Sequence, residues 1–254
     1  MGIGSIGVLP VIICIRKIHL RLMVLFLCFF VGLGAVLWYG HMPQPASAFA
    51  AWEGVPITVI VDPGHGGEDG GAVSADGVEE SQINLSVALR VNDLLRFSGW
   101  RTRMTRTEDI SIHSGDAATA RQKKVSDLKN RVAIINGTEN AVLLSIHQNS
   151  LPSSSVTHGA QVFWNKQEGA EALAKSVQNS LNTVINTERA KEAKPIPSTI
   201  YLMKNALVPG ILVECGFLSN KEETVRLQEP VYQRKLASTV CVGFLRGMAG
   251  EEGS

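Results

Sequence analysis

Net charge is almost absent from this chain. Its 24 Lys and Arg against 23 Asp and Glu leave a formal +1 over 254 residues, so a general affinity for polyanions has no electrostatic basis and nucleic acid is not an expected partner. Cysteine is scarce as well, at four residues, which excludes a disulfide scaffold. Cys14 and Cys28 fall in the N-terminal segment, and Leu-Phe-Leu before Cys28 makes a poor lipobox. Cys215 reads as part of a strand and Cys241 as part of an apolar helix face, so two buried thiols are expected rather than a bridge. There is no internal repeat, no low-complexity tract and no linker between two large domains. No HExxH zinc motif occurs either.

Charge is missing most completely from Leu22 to Tyr39, where no acidic or basic side chain interrupts an apolar run. Arg16, Lys17 and Arg21 precede it. That length and those flanks suit a membrane span or a long signal-peptide core, with the basic end cytoplasmic and the rest exported. Pro43 and Pro45 lead into Ala46-Ser47-Ala48 and Ala48-Phe49-Ala50, two small-x-small patterns that a signal peptidase could cut. The expected organisation is therefore a signal or anchor segment with linker over 1–50 and one catalytic domain over 51–254.

The stretch that organises the rest is Ile57 to Gly67, Ile-Thr-Val-Ile-Val-Asp-Pro-Gly-His-Gly-Gly. Its Val- and Ile-rich run predicts a buried strand. Asp62-Pro63-Gly64 predicts a turn, which leaves His65 at the strand's carboxyl end among glycines. In open α/β sheets that edge is where ligands bind. Downstream, a helix is expected from Glu79-Glu80 to Ser98-Gly99, strands at 100–105, 141–146, 160–164, 199–203 and 211–215, and helices at 127–136, 168–186, 222–227 and 232–248. Thr107 to Ser126 is polar and lacks a clear pattern, as expected of a functional lid or a disordered stretch. Strands alternating with helices predict a single α/β domain, a mostly parallel twisted sheet covered by helices on both faces.

Three of these strand ends carry a residue able to bind metal or move a proton: His65, His147 in Ser-Ile-His-Gln-Asn-Ser, and Glu214 in Val-Glu-Cys-Gly-Phe-Leu-Ser-Asn. Glu80 starts the helix after the first strand and so faces the same edge. Two histidines and a glutamate are a common zinc donor set, and a further carboxylate then has the task of taking a proton from the attacking water and returning it to a leaving amine. This pattern points to metal-assisted hydrolysis of an amide-like bond outside the membrane.

The motifs Val-Asp-Pro-Gly-His65-Gly-Gly, Glu80-Ser-Gln-Ile-Asn84-Leu85, Ser-Ile-His147-Gln-Asn-Ser and Val-Glu214-Cys-Gly-Phe-Leu-Ser-Asn occur in the order found in zinc-dependent N-acetylmuramoyl-L-alanine amidases of the Amidase_3 type. The resemblance extends from Ile57 to Met248. It implies His65, Glu80 and His147 as zinc ligands, Glu214 as the catalytic residue, and peptidoglycan as substrate. The four-residue spacing to Asn84-Leu85 selects Glu80 over Glu79, which is expected to be a solvated acid of the first helical turn. Arg121 to Arg131 and the loop before it resemble the germination-specific, spore-cortex branch. That branch implies removal of whole stem peptides, muramic δ-lactam formation through a separate polysaccharide deacetylase, and a location in the cortex space of the developing spore.

Each sharper reading has a plainer competitor. His65 could be a surface-turn histidine, His147 a satisfied core histidine and Glu214 half of a buried salt bridge. His113 and His158 are expected to be inert loop residues. Exposure is the default for Arg106 and Arg131, with orientation of substrate or of carboxylates as the alternative. Lys123 and Lys124 are expected to be solvated, and Asn149 to brace the turn after His147. At the level of function the competitors are a noncatalytic peptidoglycan-binding module on the same fold and another zinc wall hydrolase, a peptidase or deacetylase.

Overall fold

The computed structural model describes residues 23, 25–34 and 56–250. By internal contacts the chain divides into two units, Met1–Pro45 and Ala46–Ser254. In the first, residues 25–34 are helical. Among the described residues no helix is long and apolar enough to cross a membrane. Both ends of the expected apolar run, both small-x-small patterns and the expected 50/51 boundary lie outside the described residues.

The second unit is built on six strands: β1 (Thr58–Pro63), β2 (Arg101–Met104), β3 (Ala141–Asn149), β4 (Gln161–Trp164), β5 (Lys194–Pro195) and β6 (Gly210–Phe217). Its helices are α1 (Glu80–Phe97), α2 (Ala120–Asn136), α3 (Ala170–Val184), α4 (Tyr201–Asn205), α5 (Lys221–Gln228) and α6 (Pro230–Ala249). The strand order is β2-β1-β3-β6-β4-β5. Strands β2, β1, β3 and β6 form a parallel block. Strand β4 runs antiparallel to β6, and β5 pairs parallel to β4. The connection from β3 to β4 contains no helix, and without a crossover helix the chain returns in the opposite direction.

Because strand side chains alternate, each strand feeds two cores. Val59, Val61, Val142, Leu144, Ile146, Ile211, Val213 and Cys215 point to one face and pack with apolar residues of α1, α3 and α6, such as Val87, Leu173 and Phe244. Ile60, Leu143 and Leu212 point to the other and pack with Ile135 of α2 and with Leu202 and Met203 of α4. Burying each such side chain contributes about 1.5–3 kcal/mol. Further along that second face the same alternation delivers Asp62, Ser145, His147 and Glu214, with Asp62 paired to Ser145 and His147 to Glu214 across the ladders. Apolar rows anchor the sheet, and the polar row sits at its carboxyl edge.

Three expected elements differ from the structure, and the two-residue strand β5 was not expected at all. Strand β1 runs through Asp62 and Pro63 before turning, since Pro63 still pairs with Ile146. Residues 120–126, expected to be irregular, are the first turns of α2. The Thr119 hydroxyl and the Gln122 side chain cap each other's backbone there in a reciprocal box, so the start is held without an apolar stripe. The strand expected over 199–203 is absent, and residues 201–203 instead open the short helix α4. Cys215 and Cys241 are free and buried, as expected.

Candidate metal centre

The loop after β1 is shaped so that side chains from distant elements meet. His65 adopts a left-handed backbone, φ 59°, which a non-glycine residue holds only when its surroundings enforce it. The enforcement comes from two buried arginines. Arg131 donates to the carbonyl oxygens of Pro63 (2.7 Å) and His65 (2.6 Å). Arg106 donates to those of Pro63 (3.0 Å), Gly64 (2.9 Å) and Ser81 (2.9 Å). Exposure was the sequence expectation for both; instead they are 2% and 3% exposed. An arginine carries five donors in a rigid fork, and here the forks tie the turn carbonyls of Pro63, Gly64 and His65 to one another and to Ser81 at the start of α1.

The charge of Arg131 is balanced by Asp62 at 2.7 Å and Asp127 at 2.6 Å. Asp62 also accepts from Thr105 and Ser145, each at 2.7 Å. Burial pushes the Asp62 carboxyl up, but Arg131 and the two hydroxyls outweigh it and hold its pKa below the usual carboxylate range. Burial pushes Arg106 down to about 10, assisted by the neighbouring Arg131.

Against this frame stand His65, Glu80 and His147, whose ligand atoms all lie within 4.8 Å of one another. Nε2 of His65 is 3.3 Å from Glu80 Oε2, and Nδ1 of His147 is 2.9 Å from Glu80 Oε1. The imidazoles meet edge to face with centroids 5.2 Å apart. Glu80 is held by the Ala72 N–H on Oε2 (2.9 Å), and by Asn84 Nδ2 (3.0 Å) and the Gln148 N–H (3.1 Å) on Oε1. Burial alone would raise its pKa; the hydrogen bond and charge of His147, together with His65, bring it down to about 2. Two glycines make room: a Cβ on Gly64 would stand 2.2 Å from the His147 ring, and one on Gly71 would stand 2.5 Å from Glu80 Oε2.

Glu214 lies one strand from His147 and lines the same cleft of about 350 Å³ as the three donors. Its Oε2 is buried without a hydrogen-bond partner. Burial holds its pKa up at about 7, with the charge of Glu80 adding to the effect and that of His147 opposing it. Two imidazoles and a carboxylate match the donor chemistry of a zinc site, and an unpartnered buried carboxylate oxygen beside them is a polar group waiting for an occupant.

Several neighbours were not foreseen from sequence. Asp69 Oδ2 lies 2.9 Å from His65 Nδ1 and so orients the ring with Nε2 toward Glu80. Lys124 sits 3.2 Å from Asp69, and Lys123 contacts Glu68; solvation was expected for both lysines. The position of Asp69, four residues after His65, was the available signal. Glu79 occupies the N-cap position of α1 without a capping bond and packs against Gly70, apart from the donors. His113 and His158 lie outside the group, facing Glu68 at 3.8 Å and Glu188 at 3.9 Å respectively. The Asn149 carbonyl accepts from the Leu218 N–H, tying the end of β3 to the turn after β6.

This is the class of α/β domain that presents a metal-capable centre at the carboxyl edge of a largely parallel sheet. Within it the family is specific: residues 59–246 match Amidase_3, N-acetylmuramoyl-L-alanine amidase, and the chain belongs to that family of peptidoglycan amidases. The germination-specific N-acetylmuramoyl-L-alanine amidase of Bacillus subtilis is 40% identical over 189 residues, 74% of this chain and 78% of that protein. The amidase LytC of the same organism is 30% identical over 186 residues, which cover 72% of this chain and 34% of LytC. Among solved structures, the CwlD amidase from Clostridioides difficile in complex with the GerS lipoprotein is 36% identical, with a TM-score of 0.72 over 76% of this chain and 98% of that chain.

Proposed function

We propose that His65, Glu80 and His147 hold a zinc ion and that Glu214 is the catalytic acid and base for cleavage of the amide between the lactyl group of N-acetylmuramic acid and L-alanine. The observation that carries this is the unpartnered, buried Oε2 of Glu214 in the cleft that the three donors share. Bound zinc supplies a Lewis acid that polarises a carbonyl and makes water more acidic. Glu214 takes a proton from the attacking water and delivers it to the departing alanine nitrogen. Burial raises the Glu214 carboxyl pKa, which favours its holding the proton between the two steps. The hydrogen bonds to Glu80 and His65 hold the donors in place, so little reorganisation is needed when substrate arrives.

The biological setting we infer is the spore cortex, supported by the likeness to the germination-specific enzyme. Stem-peptide removal there would precede δ-lactam formation, with a deacetylase acting on the product. For a physical partner, the CwlD complex makes a lipoprotein the first class to test. Export is inferred from the apolar N-terminal run in the sequence and its basic flank, with 1–50 as signal or anchor segment and 51–254 as catalytic domain.

The direct test is Glu214→Gln. Zinc content by atomic emission should match that of the wild type, and turnover should fall about 10²- to 10⁴-fold. Wild-type turnover in the variant would end the assignment.

A further inference from the structure

A second cleft, of about 520 Å³, opens beside the catalytic carboxylate and has no role in the chemistry above. Its inner end includes Gln161, the direct antiparallel partner of Glu214 across β4 and β6, and Phe217, three residues beyond Glu214 on the same strand. Neighbouring strands lie about 4.8 Å apart, so Gln161 at the edge of the cleft is one strand spacing from the Glu214 backbone.

Its walls are cationic. Arg189, Lys191 and Lys194 line it with His158, against the single carboxylate of Glu192. Lys191 is fixed: its Nζ donates to the Gly159 carbonyl at 2.7 Å and stands 4.6 Å from the centroid of the Phe217 ring. Its pKa is lowered, first by burial and then by Arg189 and Lys194, although Glu223 opposes them. Glu223 is not free to neutralise the cleft as a hydrogen-bond acceptor, since its oxygens accept from the Phe217 and Gly159 N–H groups. Arg189 and Lys194 are exposed and form no side-chain hydrogen bond or ion pair with the described residues.

The leaving group of the amidase reaction is an anionic peptide. Beyond L-alanine its glutamyl residue is joined through the side chain and bears a free α-carboxylate, and later residues bear more. Each extended residue advances the chain by roughly 3.5 Å, so these carboxylates fall within reach of a cleft that starts beside Glu214. On the other side the metal-site cleft is lined by Leu128, Ile200 and Tyr201, an apolar wall suited to sugar faces rather than carboxylates.

We propose that the cleft lined by Arg189, Lys191 and Lys194 is the stem-peptide subsite, in which these cations take the free carboxylates of the peptide being released. The assignment rests on the amidase reading, yet it can fail separately. In the full-length protein with zinc supplied, calorimetry would compare the tripeptide L-Ala-γ-D-Glu-diaminopimelate with the same tripeptide carrying carboxamides. The acid form should bind about tenfold more tightly, a preference that weakens with salt and collapses toward one in Arg189→Gln/Lys194→Gln. Both substituted side chains are exposed, so the fold should survive, and circular dichroism checks that it does. The kcat/KM ratio for muropeptides with free against amidated stems should collapse in parallel. Equal binding of the two tripeptides, or an undiminished preference in the double variant, overturns the subsite. If tripeptide preference follows the prediction but peptidoglycan yields no new alanine amino termini, the amidase reading fails and the peptide site stands.

Discussion

His65 is held by its backbone as much as by its ring. The left-handed φ, the two arginine forks on neighbouring carbonyls and the Asp69 contact on Nδ1 together aim Nε2 at Glu80. If that aim matters for the metal, Asp69→Asn should weaken zinc binding about 10- to 100-fold, read by competition with a chromophoric chelator. Wild-type affinity in that variant would mean the ring is positioned without Asp69. The four residues assigned chemistry were legible from position: His147 and Glu214 each follow a buried apolar run directly, His65 follows one across an Asp-Pro-Gly turn, and Glu80 starts the helix after that turn. Asp62 ends such a run too, but ahead of Pro63 it reads as part of the turn, and Asp69 lies in the glycine-rich loop beyond it. An aspartate beside glycine or proline is ordinary turn chemistry, and only the fold shows what each one touches.

Between elements, the decisive tie joins α2 to the end of β1 through Arg131. Its partners Asp62, Pro63 and His65 lie about seventy positions earlier in the chain, and no local pattern announces contacts with backbone oxygens at that separation. Arg131→Met should cost about 3–5 kcal/mol in denaturant unfolding, because it leaves the Asp62 carboxylate buried without its cation. The sign with pH follows from the depressed pKa of Asp62. Its contribution is present above the unfolded value of about 3.9 and is lost as pH falls through the lower folded value. The wild type should therefore lose part of its advantage over the variant in acid; a gap that does not narrow with falling pH contradicts this account. The misread elements have physical causes too. The start of α2 is polar all round and depends on its cap, whose Thr-x-x-Gln signature was present in the sequence. Tyr201-Leu202-Met203 is too short a run for periodicity to separate strand from helix.

At the scale of the molecule, two-residue alternation gives one face of the sheet to α1, α3 and α6 and leaves the carboxyl edge of the other face for polar groups. The α/β class and the meeting of His65, Glu80, His147 and Glu214 at that edge could be anticipated from strand ends alone. The reversed direction of β4 was not anticipated, although the helix-free connection from β3 that accompanies it was legible as a loop. That reversal places Gln161 beside Glu214 and so opens the cationic cleft next to the catalytic edge.

The central claim, metal-dependent cleavage by this constellation, is tested most directly by mass spectrometry of peptidoglycan digested with the purified full-length protein, with and without a zinc chelator. Intact stem peptides bearing a new N-terminal alanine, abolished by the chelator and restored by added zinc, are the predicted result. Cleavage that persists undiminished in chelator, or release of free acetate without alanine amino termini, would contradict it.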